Sequence, residues 1–319
     1  MQEGPMKDNH TLVVAILVLI ASAAAFAATL KSHDEKSFPA IPGGTVKVKA
    51  SFQDIEVRVR PGDSVHAVVD LEVTASEDRA ARLLEEYKPT FESKDRDILI
   101  REGKGDHGIH LSWHPTHLTG AIHIEVPPGM NLSLETASGD CLLDGGLGDA
   151  EARLQTASGD VKINGSMKGL DVDTASGYVQ AHFDKPVGAI RVNTASGDVT
   201  LSGPMGKLTA ETASGNIKAD GLTGAADFNT ASGDVMAFWT AIPAGTRVKA
   251  DAASGNVHLT FPAATIVSGQ ARTSSGDITC DFPGTFSKKN DRIEFQGGEG
   301  SIHLDLDTAS GDIGILKVK

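Results

Sequence analysis

Residues 154–163 read Leu-Gln-Thr-Ala-Ser-Gly-Asp-Val-Lys-Ile, and residues 192–201 read Val-Asn-Thr-Ala-Ser-Gly-Asp-Val-Thr-Leu. Both alternate apolar and polar side chains on either side of a Ser-Gly corner. Alternation with period two is the signature of a strand with one buried face, so the phrase reads strand, turn, strand. Glycine permits positive φ at the corner, and a following Asp or Asn bonds nearby backbone amides. The phrase or a close variant recurs nine times: Ser138-Gly139-Asp140, Ser158-Gly159-Asp160, Ser176-Gly177-Tyr178, Ser196-Gly197-Asp198, Ser214-Gly215-Asn216, Ser232-Gly233-Asp234, Ser254-Gly255-Asn256, Ser275-Gly276-Asp277 and Ser310-Gly311-Asp312. The steps between serines are 20, 18, 20, 18, 18, 22, 21 and 35 residues. A repeat of this length is a solenoid coil, too small to bury a core alone, so coils stack and share one.

The expected fold is all-β: a single-domain parallel β-solenoid, or β-helix, of about 18–22 residue coils stacked at the strand spacing of about 4.8 Å. The register is testable at the two cysteines. Cys141 aligns with Val161, Val199 and Val235, and Cys280 with Ile163, Leu201 and Leu259. Both are expected in the core, seven coils and about 34 Å apart, too far for a disulfide.

Outside the repeats the pattern changes. Residues 1–27 read as an export signal, with an unbroken apolar run Leu12–Ile20 and a cleavage-like Ala25-Phe26-Ala27. The competing reading is an uncleaved anchor, because residues 12–30 are long enough to span a bilayer. Residues 28–38 are a linker, 39–130 an N-terminal cap with the first coils, and 131–319 the repeat solenoid. Within the cap, Ser76-Glu77-Asp78 reads as a helix start with an oxygen cap, Ala80, Leu83, Leu84 and Tyr87 form one face, and Pro89 is the stop. That helix is expected to cover the open end of the stack. The 35-residue step holds an insertion near Pro283–Gly300, expected as a hairpin or loop, and Leu304–Ile315 is expected to add the last coil.

Composition narrows function. Of 319 residues, 42 are acidic and 29 basic, giving a net charge of -13. Such a chain repels phosphate backbones and anionic lipids, so nucleic acid is excluded and a membrane enters only through the N-terminal segment if uncleaved. No cofactor motif is present: no glycine-rich phosphate loop stands between strand and helix, and no Gly-x-Ser-x-Gly elbow appears. The Asp column at the corners invites a calcium reading, but its period does not match calcium-binding β-rolls; each Asp or Asn is expected to cap its own turn. His107, His110, His114 and His117, followed by His123, have spacings from which zinc, nickel or copper sites are built. Gly108 and Pro115 deny them a regular helical face, so no metal is assigned.

These residues resemble the bacterial "putative adhesin" family of TASGD-type β-solenoid repeat domains, a family of unknown molecular function. The resemblance rests on the serial corners, the early Asp54-Ile55-Glu56-Val57 coil, the short helix, the Val126-Pro127-Pro128-Gly129 lead-in, and Gly297-Gly298 before the last corner. It implies an exported or membrane-tethered β-solenoid of the cell envelope, in the periplasm or at the surface, and supplies no catalytic or ligand residues. The leading expectation is a monomeric, non-enzymatic binder of an envelope glycan or protein along a repetitive face. The alternatives are a periplasmic scaffold or stress sensor and, third, a β-helix polysaccharide-degrading enzyme. Few long loops and only two tryptophans weigh against the last.

Overall fold

A computed structural model describes residues 18–20, 28–103, 117–289 and 291–318. The segment expected to be an export signal otherwise lies outside the described residues; the backbone of Val18–Ile20 pairs antiparallel with residues 29–31. Among the described residues the chain is strands and a single helix, α1, Glu77–Glu86.

Two parallel ladders run the length of the molecule. Strands entering the Ser-Gly corners stack in one, from Asn131–Thr136 through Glu151–Ser158, Gly169–Ser176 and Val187–Ser196 to Arg247–Ser254. Strands leaving the corners stack in the other, from Cys141–Asp144 through Val161–Asn164 and Val179–His182 to Val257–Phe261. One strand, Val199–Ser214, runs through the second turn and belongs to both ladders. The register is the one the sequence implies: Ser158, Ser176, Ser196, Ser214, Ser232, Ser254 and Ser310 stand in one column. Inward positions hold a continuous core of Val, Ile, Leu and Ala. Toward the C-terminal end, Phe228, Trp239, Phe261 and Phe282 form a run of ring contacts with centroids 4.6–6.4 Å apart. The Trp239 indole N–H donates to the Gly224 carbonyl at 2.9 Å, which satisfies the one polar atom of that ring.

Three expectations need correction. The sheet is mixed, not purely parallel. Ser64–Ala75 packs antiparallel on His117–Val126, Ala28–Pro39 lies antiparallel outside it, and Thr90–Lys94 turns back on Asp97–Arg101. At the other end, the expected insertion is a hairpin, with Arg292–Gln296 antiparallel both to Val267–Thr273 and to Thr285–Phe286. A tight turn can only return a strand antiparallel, whereas a parallel neighbour needs a long crossover. Each end therefore carries one hairpin, Thr90–Lys94 with Asp97–Arg101 and Thr285–Phe286 with Arg292–Gln296.

Second, the stack does not follow chain order. The coil formed by Ile302–Ser310 and Ile313–Lys317 lies between the coil of residues 247–261 and that of residues 267–280. It is the penultimate coil, not the last. Likewise Thr45–Lys49 and Asp54–Val59 sit between the coil that begins at Asn131 and the strands Asp97–Arg101 and His117–Val126. Cys141 and Cys280 are consequently eight strand spacings apart rather than seven, about 38 Å. Both thiols are free; Cys141 is buried and Cys280 half-buried.

Third, α1 packs on the antiparallel strands Ala28–Pro39 and Ser64–Ala75, burying Ala80 and Leu84, and Ser76 makes no side-chain cap bond. Beneath α1 the edge strand Ala28–Pro39 turns Asp34 inward, where it is buried. An inward charge on an edge strand discourages pairing with another chain.

Candidate functional site

The corner phrase builds a surface as well as a fold. In Asn131–Thr136 and its successors, the threonine turns inward and the residues on either side turn outward. The outward residue before each threonine forms a column: Glu135, Gln155, Asp173, Asn193, Glu211 and Asn229 stand in register on six successive coils. Carboxylate and amide alternate from coil to coil. The outward residue after each threonine is always alanine, and Ala137, Ala157, Ala175, Ala195, Ala213 and Ala231 are all exposed. A methyl column beside a column of longer side chains leaves an open groove of about 900 Å³, about 24 Å long over five coil steps.

Polar side chains along the groove wall bond to one another between coils. Asp173 accepts from Asn193 Nδ2 at 2.7 Å, from Gln155 Nε2 at 3.3 Å and from Arg153 at 3.4 Å. Under the alanine floor lie the buried threonines. Thr136 and Thr156 donate to carbonyls of the neighbouring coil at 3.3 Å. Thr194, Thr212 and Thr230 leave their buried hydroxyls without a hydrogen-bond partner.

The corner residues predicted as structural are brought into three columns. The glycines pack backbone to backbone: a Cβ on Gly215 would lie 2.1 Å from the Gly197 carbonyl oxygen. The acidic column does not cap its own turns, which corrects the expectation. Each side-chain oxygen accepts from the backbone N–H of the equivalent residue on the next coil, as Asp54 does from Asp140, Asp140 from Asp160, Asp198 from Asn216, Asn216 from Asp234, Asp234 from Asn256, Asn256 from Asp312, and Asp312 from Asp277, at 2.7–2.9 Å. The reason is geometric. With equivalent residues one strand spacing apart, the next coil's amide lies within reach of a short side chain directly above it.

Of the candidate metal ligands, His107, His110 and His114 lie outside the described residues. His117 opens the strand His117–Val126, and His123 Nδ1 sits 2.9 Å from Glu56 Oε2. Among the described residues no group of three or more His, Cys, Asp or Glu side chains is placed to hold a metal ion. Burial, with the charges of Asp140 and Asp54 beside it, pushes the Cys141 thiol up to about 12, so it is no nucleophile. No described helix is long and apolar enough to cross a membrane.

The sequence reading singled out the serines, glycines and aspartates and passed over the groove. Its signal was present one position before each threonine, where acid and amide alternate, and one position after, where alanine is constant.

The chain is similar to proteins of solved structure. A "putative lipid binding protein" from Parabacteroides distasonis ATCC 8503 is similar over 90% of this chain and 97% of its own, with 14% identity and a TM-score of 0.50. A "putative adhesin" from the same organism covers the same shares at 13% identity and a TM-score of 0.41, and one from Parabacteroides merdae ATCC 43184 covers 90% of this chain and 96% of its own at 12% identity and 0.36. No curated protein matches the chain. The family model for the Toastrack domain of unknown function, DUF4097, matches residues 43–211 and again residues 205–316. With the coils from residue 43 to residue 316 inside those matches, well over half of the chain, the chain belongs to the Toastrack DUF4097 family.

Proposed function

We propose that the protein is an exported, non-enzymatic binder of the cell envelope, an adhesin-like module that holds an extended glycan or protein strand along the groove. The groove itself carries this reading. It is open at the surface, continuous over six coils, and presents hydrogen-bonding side chains at one spacing along an apolar floor. A rigid ladder of this kind favours many weak contacts to a polymer with its own repeat, and its affinity grows with the number of coils engaged. The apolar export-like segment at residues 12–27 supports delivery to the envelope.

Purified protein is tested for retention on a glycan array and, separately, on blotted envelope proteins. Ala195→Arg fills the groove at mid-length from an exposed position and leaves the core untouched. Retention lost in this variant supports the reading. Retention on neither surface, or equal retention of the variant, overturns it. Protease digestion of a C-terminally tagged copy on intact cells, before and after permeabilisation, separates a surface location from a periplasmic one.

A further inference from the structure

The acidic ladder has one missing rung. In spatial order its ten coils carry Asp54, Asp140, Asp160, Tyr178, Asp198, Asn216, Asp234, Asn256, Asp312 and Asp277. Tyr178 receives a rung, its N–H donating to Asp160 Oδ1 at 2.9 Å. It has no acceptor to pass on, and no such bond reaches the Asp198 amide. Every other step of the ladder among the described residues carries this bond. The Tyr178 ring is 61% exposed, the most exposed large hydrophobic side chain among the described residues. Among the described residues its hydroxyl has no hydrogen-bond partner and its ring no aromatic or cation contact. The chain has only one other tyrosine, and Tyr87 packs edge-on against Phe52 at 5.5 Å. A residue that breaks a local rule without structural compensation is where function is to be sought.

We propose that Tyr178 is the anchor of a subsite for a pyranose ring of a neutral β-1,4-linked polysaccharide. Tyr178 stands at the corner, three residues past Ala175 of the groove floor, and is not itself a lining residue; the inference rests on the groove reading and carries its ligand onto the corner. An exposed aromatic ring stacks on the apolar C–H face of a sugar while its edge stays wet. Asp160 and Asp198 flank it one coil away on either side. In each, Oδ1 accepts from the ladder, and Oδ2, without a partner among the described residues, remains to accept from sugar hydroxyls. These two carboxylates are two coil spacings apart, about 9.6 Å, close to the disaccharide repeat of a β-1,4-linked chain. The net charge of -13 opposes an anionic polymer.

The test separates binding from folding, because Tyr178→Asn removes the ring and rebuilds the rung. Affinity electrophoresis is run in gels containing hydroxyethylcellulose or glycol chitin, beside thermal unfolding of each variant. The expected result is retardation of the wild type and of Tyr178→Phe in at least one gel. Tyr178→Asn should lose tenfold or more in affinity while its melting temperature stays level or rises. No retardation of the wild type in either gel overturns the proposal. So does equal retardation of Tyr178→Asn; if Ala195→Arg alone then abolishes it, the subsite falls and the groove reading stands. A wild type retained only on blotted envelope proteins overturns the glycan assignment and leaves a protein partner for the groove.

Discussion

Replacing Gly215 by alanine puts the backbone packing of the corner column under direct test. Gly215 has φ 150°, a region essentially closed to side chains, which costs about 1–3 kcal/mol for a residue that has one. A Cβ there would stand 2.1 Å from the Gly197 carbonyl oxygen and 2.6 Å from its carbon, well inside van der Waals contact. Both atoms are backbone, so the coils must part by roughly 1 Å to restore ordinary carbon–oxygen contact. Parting them stretches two rungs at this corner, Gly197 N–H to the Ser214 carbonyl at 3.0 Å and Asn216 N–H to Asp198 Oδ1 at 2.7 Å. At about 0.5–1.5 kcal/mol each, their loss adds about 1–3 kcal/mol. The expected destabilisation is therefore about 2–6 kcal/mol, a large part of the stability of an ordinary domain. Gly62 is the control: its Cβ would meet nothing within 4 Å and its φ is not in the positive region, so Gly62→Ala should stay within about 0.5 kcal/mol. Urea unfolding followed by far-UV circular dichroism gives both midpoints. A Gly215→Ala midpoint level with that of Gly62→Ala would refute the claim that these coils are packed to backbone contact.

Asp34→Asn should raise stability at neutral pH. Burial, opposed by the Lys88 charge, holds the Asp34 carboxyl above its ordinary value, so the fold favours its protonated form. Stability therefore falls as pH rises from the ordinary carboxylate range through the raised value and is flat above it. A urea midpoint for Asp34→Asn that is lower than wild type at pH 7 counts against this. In the native protein Cys141 should resist a thiol reagent and Cys280 should react first, with two thiols found after denaturation; a fast-reacting Cys141 would displace it from the core. Hydrogen exchange should be slower over Ile302–Ser310 than over Val267–Thr273, because the first strand has parallel neighbours on both sides and the second is edged only by the hairpin. The reverse order of protection would contradict the insertion of the last-encoded coil.

The register was legible because every coil carries the same punctuation. Ser158 and Ser196 fall in one column since a Ser-Gly corner can sit only where the backbone turns. Coil order was not legible. Ser275 and Ser310 fit the same column equally well, so the sequence pattern is indifferent to which stands next to Ser254. Loop length does not decide either: residues 262–266 reach up to about 16 Å when extended, enough for one coil step or two. The ladder's direction was missed for a related reason. A lone Asp after glycine reads as a turn cap, and only the stacked neighbour supplies the amide it bonds. The groove was passed over because alanine carries no chemistry by itself; it matters at 137, 157, 175, 195, 213 and 231 only because longer side chains stand beside it.

The inversion of coil order recurs at both ends, and the physics of a one-dimensional array gives it a reason. In a simple stack the first and last coils touch one neighbour each and fray from the chain termini inward. Here the coils nearest the two termini, residues 45–59 and 302–317, are each held between two others. The outermost coils come from internal segments, each joined in sequence to a hairpin. Peeling Ile302–Ser310 and Ile313–Lys317 must therefore break pairing on two sides at once, and residues 45–59 are held in the same way behind the strand Ala28–Pro39. The coils that line the groove, from Glu135 to Ala231, lie wholly between these stitched ends. Their pitch is the strand spacing of about 4.8 Å, and regular steps of 18 or 20 residues keep equivalent side chains in register, so a polymer that matches that pitch meets a continuous surface.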